Sequence, residues 1–289
     1  MPANSPLYAY IHGQITPLDQ AFLHISDLAI QRGYGVFDFF KVHAGQPLFL
    51  DYYLDRFYQS AQLMELAVPL ARPTLLAVIQ DLIRHNDLPL SGVKMILTGG
   101  YSANGYDPSE PNLLITEQPL VLPTSEQVTT GIKVITHDYL REIPPAKTIN
   151  YSMGIRLIKQ IKARGADDVL YHHQGVVTEF PRANFFLVKQ DNTVITPATD
   201  VLAGITRRNI LALPESPYPV SVGTITLEDL YQAKEAFLTS TTKRVLPVVQ
   251  IDDVVLGTGK PGPVTLALLQ ALLELEVEEK QQQTAVATR

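Results

Sequence analysis

The spacing of apolar and polar positions divides the chain into runs of strand and helix character. In the first 119 residues, alternating positions bounded by turn residues predict strands, and an apolar recurrence of helical period predicts helices. The predicted strands are residues 7–11, 14–16, 35–42, 47–50, 93–98 and 112–116, and the predicted helices are 51–65 and 73–85. A glycine-rich loop, 99–105, lies between the last two strands.

Residues 120–126 change in character and predict a link between a small N-terminal domain, 1–119, and a larger C-terminal domain, 127–289. Beyond the link, strands are expected at 131–136, 168–171, 176–179, 184–188 and 235–239, and helices at 151–164, 204–213, 227–232 and 264–275. The first of these helices is predicted to bury one apolar face, made of Met153, Leu157, Ile158 and Ile161. The polar tail from 278 is expected to be mobile. Strands and helices mixed in two parts indicate an α/β or α+β fold.

The composition is that of a soluble globular protein, with 46% hydrophobic and 18% charged residues. A net charge of −6 does not favour nucleic acid as a partner, because nucleic acid binding normally needs a basic surface. The chain contains no cysteine, which excludes disulfides and thiolate metal ligands. The N-terminus has no signal-peptide pattern, and no run reaches the roughly 18 apolar residues of a membrane span. We therefore expect a cytoplasmic protein without a membrane partner.

The stretch Pro144-Pro145-Ala146-Lys147-Thr148-Ile149-Asn150-Tyr151 places a lysine between a stiff approach and the start of a helix. A lysine acts as a nucleophile only when burial or a nearby positive charge lowers its pKa. The apolar neighbours permit partial burial of Lys147, and an ordinary charge at the mouth of a loop is the alternative. Glu179 ends a predicted strand, where a carboxylate is either solvated or part of a site.

Two groups of hydroxyls and amides could bind a phosphate. Gly204-Ile205-Thr206 lies at a predicted helix start, where backbone N–H groups attract anions, and Ser240-Thr241-Thr242 follows a predicted strand. Helix capping and turn formation are the alternatives for both groups. Arg56 is either an anion ligand or a surface charge. We reject His172-His173 as a metal site, because adjacent strand residues face opposite sides and no further ligand completes a coordination shell.

One cofactor, pyridoxal 5'-phosphate, would use all of these groups. A lysine holds its aldehyde, a carboxylate near the ring nitrogen keeps that nitrogen protonated, and helix-start amides with an arginine hold its phosphate. The sequence therefore favours this cofactor over a metal ion.

Four motifs resemble those of the class IV (fold type IV) pyridoxal phosphate aminotransferases, in the order that this family uses. They are Leu54-Asp55-Arg56-Phe57 with Ser60-Ala61, Pro145-Ala146-Lys147-Thr148-Ile149-Asn150-Tyr151, Gly175-Val176-Val177-Thr178-Glu179 with Asn184-Phe185-Phe186, and Leu202-Ala203-Gly204-Ile205-Thr206-Arg207. The family includes branched-chain aminotransferase, D-amino acid aminotransferase and aminodeoxychorismate lyase. The resemblance implies a small N-terminal α/β domain, a larger C-terminal domain and the cofactor between them. It also implies a homodimer in which the partner contributes to each site.

The resemblance also implies a role for each matching residue. Lys147 would form the Schiff base and move protons, Glu179 would face the pyridine nitrogen, and Tyr151 would lie near the phenolic oxygen. The residues implied at the phosphate are Arg56, Ile205, Thr206 and Thr241, and Gly204 and Ser240 are further candidate cofactor-binding residues.

The substrate is expected to be decided where the chain departs from its relatives. Arg32 stands where the family commonly has a tyrosine; it would pair with a substrate carboxylate or, alternatively, with Asp27 or Asp38. The other candidate substrate residues are Phe37, Lys94, Tyr106 and Thr242, and Thr242-Lys243-Arg244 is expected to add positive charge.

The family's carboxylate-trap, branched-chain and lyase signatures are all incomplete in this chain. We predict transfer of an amino group between an amino acid, with a lean toward D-amino acids, and a 2-oxo acid such as 2-oxoglutarate or pyruvate. The alternatives are a branched-chain L-amino acid aminotransferase, then an aminodeoxychorismate lyase.

Overall fold

The computed structural model describes residues 6–213 and 218–287, with side chains described to residue 282. The chain forms two compact units. The first runs to Leu120 and also contains Ala146–Asn150, and the second contains Val121–Pro145 and everything from Tyr151 onward. The short stretch around Lys147 thus belongs with the N-terminal unit, although the sequence predicted a C-terminal domain continuous from residue 127.

The first unit is a six-stranded antiparallel sheet with helices, in strand order β2-β1-β6-β5-β3-β4. Its strands are β1 (Tyr8–Ile11), β2 (Gln14–Pro17), β3 (Gly35–His43), β4 (Gln46–Pro47), β5 (Leu90–Thr98) and β6 (Leu113–Pro119). Its helices are α1 (Leu28–Arg32), α2 (Leu50–Leu63) and α3 (Arg72–Asn86). The strand predicted over 47–50 ends at Pro47, because Phe49 takes a left-handed conformation and Leu50 begins α2.

Alternation along β3 gives the sheet two different faces. Val36, Asp38, Phe40 and Val42 are fully buried on one face. Phe37 and Phe39 point to the other face and are partly exposed. The buried face therefore forms part of the core of this unit, and we call the other, partly exposed face around Phe37 and Phe39 the open face.

The second unit is a ten-stranded mixed sheet with five helices among its described residues. Its strands are β7 (Ile132–Asp138), β8 (Asp168–His173), β9 (Val176–Val177), β10 (Glu179–Phe180), β11 (Ala183–Val188), β12 (Val194–Pro197), β13 (Val220–Gly223), β14 (Glu235–Ser240), β15 (Arg244–Ile251) and β16 (Val254–Val255). Its helices are α4 (Ser125–Thr130), α5 (Ser152–Ala163), α6 (Ile205–Leu211), α7 (Leu227–Tyr231) and α8 (Pro263–Ala287). The longest path through the sheet is β13-β12-β11-β14-β15-β7-β8-β9, with parallel pairs at β12–β13, β15–β7 and β7–β8.

Several expectations for this unit were wrong. The final helix, predicted over 264–275, continues through the polar tail to Ala287, and the mobility of that tail stays a prediction. Ile158 is 44% exposed on α5, whereas Leu157 and Ile161 are buried. Strand β9 stops at Val177 and Glu179 begins the separate short strand β10, so the predicted single strand is broken.

The N-terminus of α8 is held by a buried carboxylate from β14. Glu235 is 6% exposed and accepts hydrogen bonds from the backbone N–H groups of Val264 at 3.1 Å and Thr265 at 2.8 Å. The Thr265 hydroxyl donates to it as well, at 2.8 Å. An anion at this position satisfies first-turn N–H groups that have no partner within the helix. None of the described helices is both long enough and apolar enough to cross a membrane.

Candidate active site

The backbone of Lys147 is held on both sides by the first unit. The Phe37 N–H donates to the Lys147 carbonyl at 2.9 Å, and the Ile149 N–H donates to the Gly35 carbonyl at 3.1 Å, so this stretch lies antiparallel along the edge of β3. The Lys147 N–H in turn donates to the Ser60 hydroxyl of α2 at 3.1 Å. These bonds fix the lysine backbone against a strand and a helix, so only the side chain is left to move.

The amine of Lys147 lies over an aromatic ring. Its Nζ is 4.7 Å from the centroid of Phe37, within the range of a cation–π interaction. Lys147 is partly exposed, and Ala146 before it is fully buried. The sequence permitted partial burial of this lysine, and the structure shows it together with the contact to the Phe37 ring.

Two of the candidate substrate residues share the open face of the sheet. Phe37 lies directly opposite Ile96 across β3 and β5, and Phe39 lies directly opposite Lys94. All four are partly exposed. Because same-face neighbours on adjacent strands are within reach of long side chains, Lys94 stands on the same surface as the ring under the Lys147 amine.

Arg32 ends α1 as an exposed residue, and neither predicted aspartate accepts a hydrogen bond from it in the contacts of the described residues. Its Nη1 donates to the Gln31 carbonyl at 3.0 Å. Asp27 instead caps α1 and accepts from Thr98 at 2.7 Å. A Cβ atom on Gly105 would lie 3.8 Å from Arg32 Nη2, so the guanidinium is beside the loop that carries Tyr106. Tyr106 itself is 77% exposed.

Arg56 is buried and forms an ion pair, so the surface-charge alternative is wrong. Its Nε and Nη2 donate to the two oxygens of Asp38, at 2.9 and 2.6 Å, in bidentate geometry. Asp38 is 0% exposed and Arg56 is 6% exposed. The guanidinium also lies 5.3 Å from the ring centroid of Tyr53. A phosphate role for Arg56 stays a prediction.

Glu179 in the second unit is a buried carboxylate with charged and neutral donors. Arg141 Nε donates to Oε1 at 2.7 Å, and Nη2 of the same guanidinium is 2.6 Å from that oxygen. The Leu202 N–H donates to Oε2 at 2.9 Å. Glu179 is therefore not solvated, as one alternative had it, but held by a cation and a peptide group.

In the turn before α6, both the N–H group and the carbonyl group of Leu202 are hydrogen-bonded to side chains. Leu202 donates its N–H to Glu179 and receives a hydrogen bond on its carbonyl from Asn184 Nδ2, at 2.9 Å. The chain passes so close to Asn184 that a Cβ on Gly204 would lie 1.9 Å from Asn184 Oδ1. Ile205 and Thr206 then begin α6, both buried. Hydrogen bonds through Leu202 thus connect Glu179, the residue predicted to face the ring nitrogen, with the segment that leads to the predicted phosphate-binding residues.

Arg207 brings a second cation toward this region. Its Nε donates to the Thr196 hydroxyl at 3.1 Å and its Nη2 donates to the Pro197 carbonyl at 2.7 Å. Burial lowers the pKa of Arg207, and the charge of Glu179 opposes that shift. Burial likewise raises the pKa of the Tyr171 hydroxyl, and Glu179 adds to that rise while Arg141 opposes it.

Ser240 ends β14, and Thr241 and Thr242 lie in the turn between β14 and β15. Ser240 Oγ accepts from the Lys243 N–H at 3.1 Å, which is the turn role weighed as one alternative. The positive charge expected from the next two residues is compensated: Lys243 pairs with Asp168 at 3.0 Å and Arg244 with Glu276 at 2.8 Å. Tyr151, partly exposed, stands at the N-cap of α5.

Two residues that the sequence reasoning left without a role now have contacts in the site. Arg141 holds Glu179 from 38 positions away, and no local pattern could have paired them. Asn184 belongs to a quoted motif, but the need for its amide appears only from the close approach of Gly204.

The first unit offers an amine over an aromatic ring, and the second unit offers a buried carboxylate paired with an arginine, near buried residues at a helix start. Each is a kind of group that an aldehyde-bearing aromatic phosphate needs. Among the described residues there is no group of three or more His, Cys, Asp or Glu side chains that could hold a metal ion.

The family described as "Amino-transferase class IV" matches residues 35–251. A D-alanine aminotransferase from Listeria monocytogenes is 29% identical over 273 residues, which cover 91% of this chain and 94% of the relative. A putative branched-chain-amino-acid aminotransferase from Methanocaldococcus jannaschii is 27% identical, with 93% and 96% covered. Among solved structures, the T.th. branched-chain amino acid aminotransferase with pyridoxamine 5'-phosphate has a TM-score of 0.87 at 26% identity and covers 95% of each chain.

Proposed function

Since this chain belongs to the class IV aminotransferase family, we propose that it is an aminotransferase that uses pyridoxal 5'-phosphate bound to Lys147. The predicted family, fold type IV and aminotransferase activity are confirmed by the family match and by the structural similarity. The assignment of the cofactor and of each site residue is our own proposal.

The observation that carries the proposal is the seating of Lys147. Its backbone is fixed by Phe37 and Ser60, and its amine lies over an aromatic ring. A nucleophilic amine needs an environment that makes the neutral form accessible. Partial exclusion of water around Lys147 favours the neutral form, whereas the face of Phe37 holds the charged form in place until the amine reacts. The same residue is proposed to take and return a proton at the substrate carbon.

When bound, the cofactor supplies an aldehyde for the amine and a ring that draws electrons from the reacting carbon. Glu179, ionised by its pair with Arg141, is proposed to hold a proton on the ring nitrogen. The amides of Ile205 and Thr206, with Gly204 and the hydroxyls of Ser240 and Thr241, are proposed to bind the phosphate.

Arg56 and Tyr151 complete the proposed cofactor site. Arg56 would contribute to phosphate binding while keeping its pair with Asp38. Tyr151, at the N-cap of α5, would lie near the phenolic oxygen.

For the substrate, we propose an amino acid and a 2-oxo acid such as 2-oxoglutarate or pyruvate, with D-amino acids favoured. An exposed arginine beside Gly105 supports a carboxylate-binding role for Arg32, and Lys94 adds a second cation on the open face. Relatives named D-alanine aminotransferase agree with this choice.

A branched-chain L-amino acid substrate is the second candidate. Phe37 and Phe39 give the same sheet face an apolar character, and a solved relative is a branched-chain amino acid aminotransferase. Tyr106 and Thr242 are candidate contacts in either case. We also propose a homodimer, as the family resemblance implies, which sedimentation analysis of the purified protein would test.

The experiment mixes purified protein carrying pyridoxal 5'-phosphate with single D- and L-amino acids and follows the yellow absorbance of the bound cofactor. We expect the band to be lost with D-amino acids, whereas loss only with branched-chain L-amino acids would support the second candidate. Lys147→Ala should never show the band, and Lys159→Ala, which changes an exposed lysine of α5, should show it normally. A band that no amino acid bleaches would contradict transamination.

A further inference from the structure

Arg141 makes two kinds of contact from one guanidinium. Nε and Nη2 both meet Glu179 Oε1, at 2.7 and 2.6 Å, and Nη2 also donates to the Pro144 carbonyl. The arginine side chain is 17% exposed and the carboxylate only 5%. An arginine held by a carboxylate and by its own backbone segment has little freedom to turn away.

The charge of Glu179 depends on this contact. A carboxylate removed from water strongly favours its neutral, protonated form unless a cation or several N–H groups stabilise the anion. Leu202 supplies one N–H, and Arg141 supplies a full charge that no physiological pH removes. With Arg141 present, Glu179 is an anion that accepts hydrogen bonds.

The second arginine near Glu179 does not duplicate this role. Arg207 donates to the Thr196 hydroxyl and to the Pro197 carbonyl, both neutral groups. Its influence on Glu179 is that of a nearby charge and not of a bonded partner. Among the described contacts, Arg141 is the cation that bonds to the carboxylate.

We infer that Arg141 is a positioning residue that acts through Glu179. It keeps the carboxylate charged, so that Glu179 binds a ring with a protonated nitrogen in preference to a ring without that nitrogen. This inference rests on the proposed function, because it assumes that Glu179 faces the ring of pyridoxal 5'-phosphate. Without Arg141, Glu179 takes up a proton and no longer discriminates between the two rings.

The test compares the dissociation constants of pyridoxal 5'-phosphate and its 1-deaza analogue, in which carbon replaces the ring nitrogen, by equilibrium dialysis. In the unaltered protein the natural cofactor should bind more tightly than the analogue. In Arg141→Gln the ratio of the two dissociation constants should fall by about tenfold or more, because a hydrogen bond to a charged group typically contributes that much to binding. Binding of the analogue should change little. Arg141→Lys keeps the positive charge and should retain more of the preference than Arg141→Gln.

Three further variants separate the electrostatic role from a structural one. In the Glu179→Gln background, adding Arg141→Gln should not change the preference further, because the residue through which Arg141 acts has already lost its charge. Arg164→Gln, a matched change of an arginine 51% exposed on the surface, should leave both dissociation constants unaltered.

Equal weakening of both ligands by Arg141→Gln would overturn the inference and leave Arg141 a structural role, and so would an unchanged preference. If Arg141→Gln does not fold, Arg141→Lys decides: the inference fails if it weakens both ligands equally. Failure of the unaltered protein to bind pyridoxal 5'-phosphate at all would instead overturn the proposed function, and the inference with it.

Discussion

Asp38 and Arg56 place two opposite charges inside the core of the first unit, where water cannot stabilise either one alone. Removing one member of such a pair leaves an uncompensated buried charge, which typically costs about 3–5 kcal/mol. Asp38→Asn should therefore lower the free energy of unfolding by about that amount in urea denaturation. Asp55→Asn is the matched control, because Asp55 is 64% exposed in its pair with Arg72 and such pairs are worth about 1 kcal/mol or less. Equal effects of the two changes would contradict this account.

Single residues were identified as candidates from sequence, but their local stretches did not decide their roles. Lys147 lies shortly after two prolines and before helix α5, and Glu179 lies at the end of a predicted strand; for each, an ordinary solvated charge stayed an alternative. The partners were not identified from sequence: Asp38 and Arg56 are 18 positions apart, and Arg141 and Glu179 are 38 apart. Only the paired strands and the packed helix bring them together. The sequence accordingly offered Arg32 as a partner for Asp38, whereas the structure gives that aspartate to Arg56.

Among the secondary-structure elements, helix α8 depends most clearly on a residue outside itself. Glu235 on β14 accepts from two backbone N–H groups and one hydroxyl at its first turn. We expect Glu235→Ala to destabilise the protein by about 1.5–3 kcal/mol, the worth of hydrogen bonds to a charged group, as measured by denaturant unfolding. Glu274→Ala, an exposed change within α8, should stay within about 0.5 kcal/mol. A Glu235 effect no larger than that of Glu274 would show that the cap is dispensable.

Elements with a clear period were predictable, and most short elements were not. The hairpin of β1 and β2 and helices α2 and α3 follow their patterns within a few residues. Strand β15 was not predicted, because Pro247 interrupts its strand pattern. The other elements that were not predicted are short, namely α1, α4, β12, β13 and β16. Ile158 was assigned to the buried face of α5 because its spacing fits that face, but Leu157 and Ile161 belong to the core cluster around Val169, Met153 packs against it, and Ile158 is 44% exposed.

For the whole molecule, the pH dependence of unfolding contains a contribution from Glu117. This residue is 1% exposed, and burial raises the pKa of its carboxyl, while a hydrogen bond from Ser91 at 2.5 Å opposes the rise. The pKa of Glu117 is therefore higher in the folded state than in the unfolded state. Its contribution to the stability of the folded state is fully present at pH values below the unfolded-state pKa, and it is lost as the pH rises through the folded-state pKa.

Glu117→Gln removes this titration. The melting temperature of the variant, relative to the unaltered chain, should be higher at pH 8 than at pH 4 in thermal scans. The exposed residue Glu126 provides the control, since Glu126→Gln should show no comparable change between the two pH values. A Glu117→Gln difference that is constant with pH would mean that the carboxyl does not titrate in this range.

The membership of Ala146–Asn150 in the first unit has a consequence for synthesis of the chain. Translation delivers strand β3 and its neighbours long before the stretch that covers β3 at Gly35 and Phe37, and strand β7 of the other unit is made in between. Until that stretch arrives, the nascent chain presents an uncovered strand edge, which is a template for pairing with other chains. A protein fragment that ends at residue 120 would keep this strand edge uncovered, because it lacks the stretch 146–150. It would also lack Lys147, on which the proposed reaction depends.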